Sequence, residues 1–223
     1  MLSQTLMEGI AIELGFWKWF VDQPRFREEW LDEERRTVDL QPEIYEWFRS
    51  RSNVDDLKVL DVGSGVVSVL LGTFPKQNIT TVDPLGALYP FVFDYEKHAI
   101  PAPLARGGEE MDFSEEFDIA HISNAIDHAQ NPGLVFEKMM AAVKPGGYVI
   151  VQGLVDEATA ENWGGLHQFN FRLTEDGLVI YVGREGEERY LSGRAVFHLV
   201  KRFHAEARDW FIAVFKKPVE MAG

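Results

Sequence analysis

An open, doubly wound α/β sheet, mostly parallel, is the fold this sequence predicts, and three features predict it. Apolar runs of strand length lie at 58–62, 79–82, 117–122 and 148–152. Helix-length segments separate them, and strands alternating with helices give a parallel sheet with helices on both faces. The first run feeds into a glycine turn, VLDVGSG over 59–65. In such sheets ligands lie at the carboxyl ends of the strands.

The elements follow in order. Residues 3–51 read as helical and rich in aromatics, among them Phe16, Trp17, Trp19, Phe20, Trp30, Trp47 and Phe48. Pro42 stands where a proline fits the first turn of a helix over 43–51. This gives a helical N-terminal cap over 1–57 and a sheet domain over 58–223. A further helix spans 131–144, with Asn131 as its cap, Pro132 at its first position and Pro145-Gly146-Gly147 after its end. An insertion over 155–190 carries a hairpin, 168–173 and 178–182, around Thr174-Glu175-Asp176-Gly177. A helix over 195–207 and a last strand over 209–216 complete an antiparallel C-terminal part and a sheet of seven strands.

Charge and composition narrow the partners. A net charge of −14 repels nucleic-acid backbones and anionic membranes, so neither is expected as a partner. With no cysteine, thiolate catalysis and disulfides are excluded. The N-terminus has no basic start followed by an apolar run and small-residue cleavage site, which leads to a cytoplasmic expectation. Oligomeric state is not readable.

The glycine turn carries the chemistry. Gly63 and Gly65 let the backbone turn tightly and approach a ligand, with Ser64 between them. A dinucleotide fingerprint needs a third glycine where Ser68 stands, and Asp61 would face a pyrophosphate with like charge. S-adenosylmethionine has no phosphate and presents a sulfonium and an ammonium, so Asp61 becomes an asset, binding the ammonium directly or through water. Asp83, at the end of the next strand and followed by Pro84 and Leu85, suits the two ribose hydroxyls.

With these residues the chain resembles class I S-adenosylmethionine-dependent methyltransferases of Rossmann-like fold, over about 58–152. The resemblance rests on VLDVGSG, TTVDPL, FDIAHISNAIDHAQNP and VKPGGYVIV, in family order. The family often has a third glycine two residues after the second; this chain has Val67. The resemblance implies that the segment around Glu109, Glu110 and Met111 lines the adenine, one of the two glutamates meeting its amino group. It also implies that Ser123 and Asn124 face the methionine end. A narrower resemblance is to bacterial methyltransferases, several associated with cell-surface glycan loci. They share ELxFW, DPL, NAxDH and GLHQWNF elements, here ELGFW, DPL, NAIDH and GLHQFNF, with Phe169 in place of tryptophan.

Methyl transfer from a sulfonium is an in-line displacement, and the enzyme mainly aligns the reactants in a dry pocket. An alcohol acceptor also needs a base, for which His128 or His167, with Asp127 beside them, is the candidate. His167, Gln168, Asn170 and Trp17 are the candidate acceptor contacts. No metal is expected, although Asp127, His128 and His167 with Asp156 or Glu157 are residue types that hold divalent ions. The function expected is methyl transfer to a small-molecule or glycan hydroxyl. A catalytically silent member that binds cofactor or partner is the alternative, and an NAD-linked oxidoreductase a third.

Overall fold

The computed structural model describes residues 4–31, 42–51, 53–203 and 208–219. Its strands are β1 (Val59–Val62), β2 (Ile79–Asp83), β3 (Leu104–Ala105), β4 (Phe117–Ser123), β5 (Val143–Leu154), β6 (Phe169–Leu173), β7 (Val179–Gly183), β8 (Glu188–Tyr190), β9 (Phe197–Phe203) and β10 (Arg208–Lys216). Seven of them form one sheet in the order β3-β2-β1-β4-β5-β10-β9. Neighbours from β3 to β5 pair in parallel, whereas β10 runs antiparallel between β5 and β9. The strand order reverses between β1 and β4, the crevice where open α/β sheets place their ligands. Strands β6, β7 and β8 make a separate antiparallel sheet.

The helices are α1 (Gln4–Val21), α2 (Pro24–Phe26), α3 (Pro42–Arg49), α4 (Tyr95–His98), α5 (Pro132–Ala142) and α6 (Glu157–Ala160). Side-chain alternation along the strands splits the core in two. Leu60 and Val62 of β1 join Ala120, Ile122, Val149 and Val151 under Val135, Phe136 and Met139 of α5. On the other face Val59, Ile119, Ile150 and Ile212 meet Ile44 and Phe48 of α3. A third cluster packs Trp17, Phe20 and Trp30 over Val66, Val67, Leu85 and Tyr89. Helix α1 also lies against the segment before β6: a Cβ on Gly9 would sit 2.4 Å from Leu166 and 2.9 Å from the Gly165 carbonyl. No described helix is long and apolar enough to cross a membrane.

The predicted α5 starts as expected, with Asn131 Oδ1 accepting the Leu134 N–H at 3.1 Å and Pro132 next in line. Asn131→Ala should lower stability by about 1 kcal/mol, the usual worth of such a cap. A urea unfolding midpoint checks it.

Three expectations are corrected. Residues 197–203 form β9 rather than a helix, because β10 offers an open edge that they fill from Phe197↔Val214 to Phe203↔Arg208. Of the rest of that predicted helix, Ala195 and Val196 are irregular chain leading into β9, and residues 204–207 lie outside the described residues. The glycine turn is followed by a single 3₁₀ turn, Val69–Gly72, rather than a full helix. Val66, Val67 and Val69 are β-branched, and Gly72 and Pro75 follow at once, so a longer helix is disfavoured. Pro145-Gly146-Gly147 sit inside β5, where the register with β4 shifts between Phe117 and Ile119.

Candidate active site

Gly63 and Gly65 both take φ near +64°, which a side chain would strain, and both are crowded. A Cβ on Gly63 would meet the Ala125 methyl at 2.6 Å, and one on Gly65 would meet the Trp17 indole at 2.3 Å. The indole N–H of Trp17 donates to Glu13 Oε1 at 2.9 Å, which fixes the ring over the turn. Ser64, also buried, donates its hydroxyl to the Gly65 carbonyl.

Asp83 ties this turn to the end of β2. Its Oδ2 accepts the Gly65 N–H at 3.0 Å, while Oδ1 accepts the Leu85 N–H at 2.8 Å and the Tyr89 hydroxyl at 3.0 Å. Burial pushes its pKa up to about 6 against the pull of those three donors, and the nearby Glu13 charge adds to the rise. Tyr89 is buried against it, and burial together with the Asp83 charge raises the phenol's pKa. Pro84 is exposed and Leu85 is buried in the third cluster.

Asp61 is buried and occupied from two sides. Parallel pairing of β1 with β4 sets Asp61 beside His121. His121 Nδ1 lies 2.7 Å from Asp61 Oδ1, and the Ser68 hydroxyl donates to Oδ2 at 2.6 Å. Gln152 Nε2 lies 2.9 Å from His121 Nε2, and Gln152 Oε1 accepts the Trp210 indole N–H at 3.3 Å. One assignment gives every polar atom a complement: the Gln152 amide donates to His121 Nε2, and His121 donates from Nδ1 to Asp61. The row crosses four strands and ends where Leu70 N–H donates to Ser68 Oγ at 3.1 Å.

Residues expected at the adenine brace loops. Glu109 Oε1 accepts the N–H groups of Gln130 and Asn131 at 2.8 and 3.1 Å, and Glu110 accepts that of Gly107. Met111 is buried in the core beneath α5. Ser123 closes β4, and Asn124, at φ 49°, accepts the Leu154 N–H and donates to Glu157 Oε1 at 3.1 Å.

A second constellation lies past β4. His167 Nδ1 sits 2.6 Å from Asp127 Oδ2 and 3.2 Å from His128 Nε2, although 39 residues separate the two histidines. Backbone and amide contacts stitch the segments: Gln168 N–H donates to the Asp127 carbonyl at 3.0 Å and its Nε2 to the His128 carbonyl at 3.0 Å. Burial works against charge on His167, but the hydrogen bond and charge of Asp127 outweigh it and hold the pKa above the usual histidine value. Glu157 is buried nearby; burial, then the Asp127 charge, push it up to about 7. Asn170 bonds to α6, its Oδ1 accepting the Thr159 N–H and its Nδ2 donating to the Thr159 hydroxyl. Gln168 is exposed beside the histidines.

Sequence reasoning passed over His121, Gln152, Glu13 and Tyr89. Only the strand register could have flagged His121, since its partner is 60 residues away.

Comparison with known proteins agrees with the architecture. The 1,6-didemethyltoxoflavin-N1-methyltransferase of Burkholderia thailandensis, solved with 1,6-didemethyltoxoflavin and S-adenosylhomocysteine, superposes with a TM-score of 0.54 at 14% identity, covering 98% of this chain and 92% of that one. The N-methyltransferase NodS of Bradyrhizobium japonicum WM9, in complex with S-adenosylhomocysteine, gives 0.54 at 12% identity over 92% and 98%. Both likenesses are of fold. The ubiquinone biosynthesis O-methyltransferase of Nitrobacter winogradskyi is 27% identical over 158 residues, 62% of this chain. The chain spans 59% of that relative's length. A family model described as a methyltransferase domain matches residues 29–180. The chain carries the Rossmann-like fold of S-adenosylmethionine-dependent methyltransferases and belongs to the methyltransferase-domain family.

Proposed function

We propose that the chain transfers a methyl group from S-adenosylmethionine to a hydroxyl of a small-molecule or glycan acceptor. The observation that carries this is the convergence of Asp127, His128 and His167 at the carboxyl end of the sheet. The contact of Gly63 with Ala125 brings their segment beside the glycine turn. Imidazoles and a carboxylate are the groups that handle a hydroxyl proton near neutral pH. The O-methyltransferase likeness adds support for an oxygen acceptor.

Asp83 takes the ribose hydroxyls, and the Asp61 carboxylate supplies negative charge toward the cationic end of the cofactor. The acceptor oxygen forms its bond to the methyl carbon as the carbon–sulfur pair returns to sulfur. The products are the methyl ether, S-adenosylhomocysteine and the proton released at the histidine cluster. Trp17 and α1 exclude water from the turn, which such displacements need.

Calorimetric titration of the full chain with S-adenosylmethionine, S-adenosylhomocysteine and NAD tests the cofactor reading. Micromolar binding of the two adenosyl compounds and none of NAD is expected; binding of NAD alone overturns it. Methyl transfer into a panel of polyols and glycans then separates an active enzyme from a silent binder.

A further inference from the structure

We propose that Asp127, His128 and His167 together form a binding site for a first-row divalent cation. The ion's role in methyl transfer rests on the reading above; its binding does not.

The geometry comes first. Asp127 Oδ2, His128 Nε2 and His167 Nδ1 lie 2.6, 3.2 and 3.7 Å from one another. Around a four-coordinate ion with bonds of about 2.0–2.1 Å, ligand atoms stand roughly 3.3 Å apart, a value these separations bracket. One point therefore lies about 2 Å from all three atoms.

Hydrogen bonding alone leaves the trio unbalanced. His167 Nδ1 is within reach of both the Asp127 carboxylate and His128 Nε2, yet it carries at most one proton. If that proton goes to Asp127, His128 Nε2 gains no partner in His167. If His128 donates to His167 instead, the bare Nδ1 lone pair faces a carboxylate oxygen. A cation gives all three atoms the same partner.

The site is held independently of the ion. Gln168 locks both segments through the Asp127 and His128 carbonyls, the kind of outer support that aims metal ligands. The Asp127 side chain is 6% exposed and the two imidazoles 19% and 20%, so the open coordination positions face outward. Three protein ligands with open positions describe a catalytic rather than a closed structural centre. Two imidazoles favour zinc or iron(II) over magnesium or calcium, and the carboxylate admits manganese. An acceptor with two adjacent oxygens, a vicinal diol or a hydroxy-carbonyl, fills the open positions. With the two imidazoles serving as ligands rather than as the base, the ion lowers the pKa of the bound hydroxyl so that its proton leaves to solvent, while the oxygen bonds to the methyl carbon and the carbon–sulfur pair leaves on S-adenosylhomocysteine.

The test uses the full chain stripped with chelator and titrated calorimetrically with Zn²⁺, Mn²⁺ and Mg²⁺. We expect one equivalent of Zn²⁺ or Mn²⁺ at micromolar affinity or better, with Mg²⁺ at least tenfold weaker. His167→Ala and, separately, His128→Gln should weaken binding a hundredfold or more. Retained S-adenosylhomocysteine binding by each variant shows that it is folded. Binding undiminished in both variants overturns the proposal, as does S-adenosylhomocysteine binding by a native chain that takes up none of the ions. If the ion binds and S-adenosylhomocysteine does not, the cation site stands and the methyl-transfer reading falls.

Discussion

Asp83→Ala should weaken S-adenosylhomocysteine binding at least a hundredfold, beyond calorimetric detection at micromolar protein. The carboxylate is the acceptor for the ribose hydroxyls in the proposed site. It also holds the Gly65 N–H, so its loss removes a ligand contact and slackens the turn together. Asp83→Asn separates the two, because it keeps one acceptor oxygen; an intermediate loss is expected. Unchanged binding in the alanine variant sinks the assignment.

The same residue predicts a pH signature. Burial raises its pKa from 3.8 to about 6 in the folded chain, so the folded state binds more protons than the unfolded one between those values. Its contribution to stability is therefore full below about pH 4 and falls as pH rises through about 6. Cofactor affinity should run the other way, rising through about pH 6 as the carboxylate ionises and its lone pairs become available. Opposite slopes of unfolding midpoint and affinity, both lost in Asp83→Ala, are the expected result of scans from pH 4.5 to 8.

The largest stability effect is expected at His121. The ring is fully buried and links Asp61 to Gln152. Alanine there opens a cavity and leaves Asp61 Oδ1 and Gln152 Nε2 without their partner, each a costly loss in a buried site. A loss of about 3–5 kcal/mol follows from the cavity and the two unmet buried polar atoms together. Denaturant unfolding reads it as a lower midpoint at unchanged slope. A change under about 1 kcal/mol would show that water replaces the ring at no cost.

The sequence made much of the sheet legible, because strand-length apolar runs and the Asn131-Pro132 start of α5 are local signals. The chain around 197–203 misled because its pattern of Phe197, Leu199, Val200 and Phe203 also fits a helix face; the open edge of β10, a tertiary fact, decides it. Within the candidate site, Gly63, Gly65, Asp61 and Asp83 are readable because turn geometry and cofactor charge constrain residue type. The partners of Asp61 are not, since His121 and Gln152 reach it only through strand register. Glu109 and Asn170 were legible only as polar residues. Their backbone bonds to Gln130, Asn131 and Thr159 depend on distances no pattern encodes.

Among its contacts, helix α1 seats Gly9 on Gly165 and Leu166, next to His167, and Trp17 on Gly65, about two turns apart. A stiff helix seated on both the glycine turn and the segment carrying His167 couples them mechanically, so a shift of either is felt by the other.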